Sequence, residues 1–306
     1  MPLHIETPLV ESLPLSLAAG RPVWLKLDAL QPSGSFKNRG IGLACETYRE
    51  RGAPRFVSSS GGNAGLAVAY AGRRLGVAVT VVVPETASAR ARELLRLENA
   101  EVIIHGASWQ EANELALSLV GAADAFIHPF DDPLLWQGHA TLVDEVHRAG
   151  FVPDAVVLSV GGGGLLSGVA EGLHRNGWSH VPILAVETER AASFHAATKA
   201  GHPVALERID SIATSLGAKR VCERAVQWWQ AHAIRSILVS DRSALSACER
   251  FLADHRLLVE PACGASLALA YEQAPELAEF KRVLIVVCGG ATATIDQIRQ
   301  WARACE

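Results

Sequence analysis

The chain has 306 residues, of which 49% are hydrophobic and 20% charged, so a sizeable core can be buried and wholesale disorder is excluded. Lys and Arg number 28 against 32 Asp and Glu, a formal net charge of −4. That balance argues against nucleic acid as the main partner, because polyanion binding draws on a net basic face.

The length allows one large domain or two modest ones. Along the chain, short β-branched runs alternate with longer amphipathic stretches. Strands are predicted over 23–27, 55–58, 78–83, 101–104, 155–160, 182–187, 235–239 and 283–288. Helices are predicted over 38–48, 64–75, 89–97, 109–120, 134–149, 165–176, 244–254, 262–273 and 293–304. Near-continuous apolar strands separated by helices describe parallel sheets covered on both faces. The longest apolar runs, 77–83 and 283–288, fall far short of the roughly 18 residues of a membrane helix, and the first residues lack the basic stretch of a signal peptide. Six cysteines, at 45, 222, 248, 263, 288 and 305, form no Cys-x-x-Cys pair. Disulfides and structural zinc are therefore not expected, and a cytoplasmic location fits.

Three strand-to-helix junctions are rich in glycine: Ser59-Ser60-Gly61-Gly62-Asn63-Ala64-Gly65, Gly161-Gly162-Gly163-Gly164-Leu165, and Cys288-Gly289-Gly290. In open α/β sheets, ligands gather beyond the carboxyl ends of strands. Glycine lets backbone N–H groups approach an anion, and the next helix adds its dipole. A phosphate is therefore expected at residues 161–165. A P-loop is absent, and the dinucleotide fingerprint fails because Ser167 stands where its third glycine belongs. Glu187, at the end of the following strand, still occupies the place of a ribose-binding acid.

Only five residues are lysine: Lys26, Lys37, Lys199, Lys219 and Lys281. A carbonyl cofactor such as pyridoxal phosphate needs a lysine whose amine can be desolvated. Lys26 alternates with Leu25 and Leu27 and reads as the polar face of a strand. Lys199 precedes Gly201, where a cation suits a helix end. Lys219 and Lys281 each neighbour an arginine and read as solvated. Lys37 follows the turn Ser33-Gly34-Ser35-Phe36 and opens a helix; it is either the Schiff-base lysine or an ordinary exposed one.

Together with Ser33-Gly34-Ser35-Phe36-Lys37-Asn38-Arg39-Gly40, these junctions resemble those of the fold-type II pyridoxal-phosphate enzymes, most of all the catabolic L-serine/L-threonine dehydratases. Matching stretches at 129–133, 138–140, 193–198 and 259–265 extend the likeness over nearly the whole chain. The resemblance implies an α/β protein with two open, twisted, mainly parallel sheets flanked by helices. Residues 1–30 and 134–306 would form a large cofactor-binding domain and residues 31–133 a smaller substrate-clamping domain, with the cofactor in the cleft of what is usually a homodimer. It also implies a catalytic core without the C-terminal regulatory domain that biosynthetic threonine deaminases often append.

By the same resemblance, Lys37 would carry the cofactor and later remove the substrate α-proton, with Phe36 packing near the ring. Asn63 would bond the 3′ oxygen, and Gly161, Gly162, Gly163, Gly164 and Leu165 would hold the phosphate. Cys288, beside Gly289, would face the pyridine nitrogen. A thiol there, its pKa raised in an apolar site, would leave that nitrogen neutral; otherwise Cys288 is a small buried hydrophobe. Ser59, Ser60, Gly61, Asn63 and Ala64 would grip the substrate carboxylate. The expected reaction converts L-serine to pyruvate and ammonia, and L-threonine to 2-oxobutanoate and ammonia. Alternatives are an amino-acid racemase, with Ser60 as its second acid/base, a β-replacement synthase, or a non-catalytic phosphate-ligand sensor. Members of the family carry alanine or glycine at the position of Gly61, which leaves the serine/threonine preference open.

Glu187 has two further readings, a surface glutamate or a ligand of a monovalent cation such as potassium. The second is implied by the resemblance, in whose cation site Glu187 would act with the carbonyls of Ala191, Leu216 and Ala218 and the Ser193 hydroxyl, hard donors that suit such an ion. His128, His139, His195 and the pair Asp131-Asp132 match no common metal spacing and read as turn or capping residues. Trp228-Trp229 reads as core or dimer surface. By the resemblance, Glu260, before Pro261, would lie near the active site, without an assigned role.

Overall fold

The computed structural model describes residues 1–304; Cys305 lies outside the described residues. The chain begins with β1 (Leu9–Glu11), α1 (Leu13–Ala19), β2 (Val23–Lys26) and α2 (Lys37–Glu50). It continues through β3 (Arg55–Ser58), α3 (Asn63–Leu75), β4 (Ala78–Val83), α4 (Ala89–Leu97), β5 (Glu101–Ile104), α5 (Trp109–Ser118) and β6 (Ala125–Phe126). Then follow α6 (Pro133–Arg148), β7 (Ala155–Ser159), α7 (Gly164–Arg175), β8 (Ile183–Thr188), α8 (Ser193–Ala200), α9 (Glu223–Ala231) and β9 (Ile234–Val239). The last elements are α10 (Asp241–His255), α11 (Pro261–Tyr271), β10 (Val283–Val286) and α12 (Ile295–Ala304). Among the described residues no helix is long and apolar enough to cross a membrane.

The strands form two sheets. One has six strands in the order β1-β2-β10-β7-β8-β9, all parallel except β1, which runs antiparallel to β2. The other has four parallel strands in the order β5-β4-β3-β6. Helices cover both faces, which is why β7 and β10 are buried at every residue instead of alternating. Each sheet has its own core, and α6 serves both: Leu135 packs into the core of the four-stranded sheet, and Leu142, Val143 and Val146 into that of the six-stranded one. Helices α2 and α6 touch backbone to backbone, since a methyl group on Gly138 would lie 2.6 Å from the Gly40 Cα.

The predicted bounds of β3, β4, β5 and α4 coincide with those found. The last strand stops at Val286, so Cys288 lies two residues beyond it. Elements β1, β6, α1 and α8 had no prediction, and α9 only a helical placement of Trp228-Trp229 without bounds. Helix α1 is set by its ends: Ser12 accepts the Leu15 N–H at 3.2 Å, and Gly20 closes it in the left-handed conformation at φ 67°.

The reading of Lys26 as a polar strand face is corrected: it is 1% exposed. Strand β2 is covered on both sides, so alternation cannot mark a solvent face there. The Lys26 amine donates to Glu145 and to the Thr7 carbonyl. Arg39 forks between Asp28 (Nε to Oδ2, 2.7 Å) and Glu145 (Nη2 to Oε2, 2.7 Å), both buried. These four charges compensate one another, as charges out of water must.

Candidate active site

In the four-stranded sheet the chain leaves β3 towards β4 and β5 and returns at β6 on the other side. In the six-stranded sheet β7 leads to β8 on one side and has β10 on the other. These are switch points, where loops diverge and open a crevice. The loops after β3, β7 and β10 are the three glycine-rich junctions; that after β6 runs through His128 to Asp132.

Lys37 is the first residue of α2. Its side chain is only partly exposed, its amine donates to the Pro129 carbonyl in the β6 loop, and Nζ lies 5.2 Å from the centre of the Phe36 ring. Burial lowers its pKa from 10.5 to about 8, opposed by the Cys222 and Cys288 thiols. The turn before it is bound to the end of β10: Phe36 N–H donates to the Cys288 carbonyl at 3.0 Å, and Gly290 N–H to the Gly34 carbonyl at 2.9 Å. The Ser33 and Ser35 hydroxyls beside this turn are buried with no partner among the described residues.

No backbone N–H from Gly161 to Leu165 donates to an acceptor among the described residues. Gly163 adopts φ 91° just before α7, so the run ends on the free N–H groups of a helix start. The space beside these glycines is partly filled by the protein itself, since a Cβ on Gly162 would lie 2.2 Å from the Phe130 ring. Beside Gly289 and Gly290, likewise, the Gly34 carbonyl and the Glu260 side chain occupy the space that a Cβ would take.

Across the crevice, the N–H groups of Ser60, Gly61, Asn63 and Ala64 have no acceptor among the described residues. Gly62 N–H donates to Ser60 Oγ at 3.3 Å. The Ser59 hydroxyl turns away, donating to Asn113 of α5 at 2.7 Å. The Asn63 Oδ1 accepts the Ala291 N–H at 3.1 Å, while its Nδ2 donates to Glu260 and, at 3.3 Å, to Ser215. Cys288 is 7% exposed; a hydrogen bond with Cys263 and burial both push its thiol well above the ordinary value.

Glu187 is neither a surface residue nor free for a ribose. It is fully buried, and its two oxygens accept the N–H groups of Phe194 (2.8 Å) and His195 (2.7 Å) at the start of α8. Burial pushes its carboxyl up to about 8 despite those bonds. The neighbouring Ser193 hydroxyl is buried without a partner among the described residues. Ala191 precedes it, and Leu216 closes a 3-10 turn at Thr214–Leu216 just before Ala218, whose N–H donates to the Leu216 carbonyl at 2.8 Å.

His128 accepts the Asp131 N–H at 2.8 Å and shapes the β6 loop, and Asp132 caps α6 through the Leu134 N–H at 2.7 Å. His195 contacts Ser236 at 2.9 Å. His139 is buried against Phe36, ring centres 4.9 Å apart. Trp228 and Trp229 pack on the larger core. Ser215 and Thr292 had no signal of their own, being single polar residues in loops; Glu260 had one, because a proline at the first helical position puts the residue before it at the cap.

Two mainly parallel sheets of this topology, with a partly desolvated lysine where their strand-end loops meet, define a fold-type II pyridoxal-phosphate enzyme. The model of the family described as pyridoxal-phosphate dependent enzyme matches residues 1–289. The L-serine dehydratase/L-threonine deaminase of Homo sapiens is 46% identical over 309 residues, covering 97% of this chain and 94% of that protein. The L-serine dehydratase of Dictyostelium discoideum is 43% identical over 318 residues, covering 97% and 91%. Among solved structures, a fungal L-serine ammonia-lyase from Rhizomucor miehei superposes with a TM-score of 0.94 at 36% identity, covering 99% of each chain. The chain belongs to the pyridoxal-phosphate dependent enzyme family and, within it, groups with the serine dehydratases.

Proposed function

We propose that the chain is an ammonia-lyase that converts L-serine to pyruvate and ammonia, and L-threonine to 2-oxobutanoate and ammonia. The observation that carries this reading is the Lys37 amine, with a pKa lowered to about 8, in a crevice between two runs of free backbone N–H groups. The residues fit pyridoxal 5′-phosphate: one N–H run and helix start for a phosphate, an amine for a carbonyl, and orphaned buried hydroxyls at Ser33 and Ser35. When bound, that cofactor supplies a carbonyl for the substrate amine and a ring that stabilises negative charge at the substrate α-carbon.

The protein's share follows from its own groups. The N–H groups of Gly161 to Leu165 would hold the phosphate and Asn63 the 3′ oxygen. Ser60, Gly61, Asn63 and Ala64 would hold the substrate carboxylate at the start of α3. The Lys37 amine, uncharged more readily than an exposed lysine, would accept the α-proton. The Cys288 thiol, held protonated by burial, would leave the ring nitrogen neutral, which suits prompt loss of a β-hydroxyl over prolonged carbanion chemistry.

Potassium bound by Glu187, Ser193 and the carbonyls of Ala191, Leu216 and Ala218 is supported by the raised Glu187 carboxyl and the orphaned Ser193 hydroxyl. A division into residues 1–30 with 134–306, and 31–133, is supported by the sheets, since β3 to β6 alone build the smaller one. A homodimer is supported by Leu13 and Leu17 of α1, which are 69% and 72% exposed. The free cysteines at 45, 222, 248, 263 and 288 support a cytoplasmic location.

The test is optical and chemical. Purified protein is expected to absorb visible light, and Lys37→Ala to lose that absorbance; a colourless protein that ignores added cofactor would sink the reading. Keto-acid release and substrate chirality, followed together, are expected to give pyruvate from L-serine. D-serine accumulating without pyruvate would refute elimination.

A further inference from the structure

Glu260 is a buried carboxyl at the crevice that the proposed reaction leaves without a task. It is 5% exposed, and no salt bridge reaches it among the described residues. It stands immediately before α11, whose first turn it serves by its backbone: its carbonyl accepts the N–H groups of Cys263 (2.8 Å) and Gly264 (3.0 Å). Its side chain makes no capping bond and turns into the crevice instead. Room for that turn comes from Gly290, at φ 136°, where a Cβ would lie 2.3 Å from the Glu260 Cγ and Cδ. The carboxyl then receives Asn63 Nδ2 on Oε1 and the Thr292 hydroxyl on Oε2 at 3.2 Å.

The Asn63 amide is thereby fixed at both ends. Its oxygen is occupied by the Ala291 N–H, so its NH2 must lie on the Glu260 side; the reverse assignment would set two donors against each other at Ala291. Of the two Nδ2 hydrogens, Glu260 takes one. The other meets Ser215 at 3.3 Å, the long end of a hydrogen bond, and is the one available to a ligand. Ala291 also touches the lysine turn, since a Cβ on Gly34 would lie 2.8 Å from the Ala291 Cβ. Glu260 therefore sits behind Asn63, Thr292 and the residues that back Lys37.

We infer that Glu260 is a positioning residue: it orients the Asn63 amide so that one Nδ2 hydrogen is presented to the cofactor, and it anchors the 290–292 turn through Thr292. Burial raises its carboxyl while bonds from Ser215, Asn63 and Thr292 oppose the rise. The orientation survives protonation, because a protonated Oε2 can donate to the Thr292 oxygen while Oε1 still accepts from Asn63. This role rests on the proposal that Asn63 faces the cofactor, and the test keeps the two apart.

Apo protein is titrated with pyridoxal 5′-phosphate, following affinity and the visible circular dichroism of the bound cofactor. The proteins are wild type, Glu260→Gln, Glu260→Met, Asn63→Ala and the Glu260→Met/Asn63→Ala pair. Glu260→Met, similar in volume but unable to accept, is expected to weaken binding about tenfold and to change the dichroism. Glu260→Gln, which can accept from Asn63 and donate to Thr292, is expected to stay within about threefold of wild type. With Asn63 already removed, Glu260→Met should change affinity by less than about twofold. Additive losses in the pair, or unchanged affinity and dichroism in Glu260→Met, would overturn the role. If Asn63→Ala alone leaves both readouts untouched, the placement of Asn63 against the cofactor fails, and this role with it. Should Glu260→Met not fold, Glu260→Asp withdraws the carboxyl by one methylene and is expected to show the same non-additive loss with Asn63→Ala.

Discussion

Phe36 donates its backbone N–H to the carbonyl of Cys288 at 3.0 Å, so the turn that presents Lys37 and the segment beyond β10 are joined through the main chain. Among side-chain substitutions only a proline at position 36, which has no N–H, would remove that donor. Lys37 is therefore delivered to a place set by the six-stranded sheet, although its own helix packs beside the four-stranded one.

The lowered Lys37 pKa has a definite sign in the stability of the apo protein. Between about 8 and 10.5 the folded lysine has lost its proton while the unfolded one keeps it. Stability should therefore rise with pH across that window, by ~3 kcal/mol at most. Urea unfolding of wild type and Lys37→Met at several pH values checks this. The variant should lack the rise, and a parallel pH dependence in both proteins would contradict the lowered value.

Glu187 runs in the opposite direction. Its folded pKa of about 8 exceeds the ordinary 4.5, so the folded state holds a proton that the unfolded state releases. Without a suitable cation, stability should fall as pH rises from about 4.5 to 8. Potassium, bound in place of that proton, should raise the melting temperature more at pH 8 than at pH 5. Glu187→Gln should remove the difference, and tetramethylammonium should not reproduce it.

The buried quartet of Lys26, Asp28, Arg39 and Glu145 should be intolerant of partial removal. Arg39→Met leaves Asp28 and Glu145 with only Lys26 to compensate them, and should cost about 3–5 kcal/mol. The urea midpoint measures this; a loss under 1 kcal/mol, within the range of exposed pairs, would mean that water reaches the cluster.

Gly61 stands in the loop proposed to hold the substrate carboxylate. A methyl group there would meet Val83 Cγ1 at 3.2 Å and Ala87 Cβ at 3.5 Å, both belonging to the four-stranded sheet and its loops. Gly61→Ala should therefore stiffen the loop, adding about 0.4–1 kcal/mol if Val83 yields. The kcat/KM values for L-serine and L-threonine should shift together. A change in their ratio beyond about tenfold would show that residue 61 reaches the substrate side chain.

Much of this site was legible because glycine and lysine are informative when they are placed unusually. Four glycines after a buried strand, and one lysine behind a Ser-Gly-Ser turn, mark a ligand crevice before any coordinates exist. What escaped depended on partners far along the chain. Lys26 needs Glu145 to be buried, and Glu260 needs Asn63 and Gly290; local alternation carries no trace of either pairing. The missed strands were the short ones: β1 has three residues, mostly exposed, and β6 has two, too few to show a period. At the glycine-rich junctions glycine also permits close approach of the chain to itself, as Phe130 beside Gly162 and Glu260 beside Gly290 show.

Helix α6 ties the two cores to a common phase. Leu135 and Leu142 lie about two turns apart, and each must face its own core while Gly138, between them, stays against Gly40. One residue inserted between 138 and 142 would rotate one half against the other by about 100°, pulling either Leu135 or the Leu142–Val146 face out of its seat. Length changes in this helix are thus doubly constrained: one added residue breaks the phase, and four, close to a full turn, still move Leu142 about 6 Å along the axis.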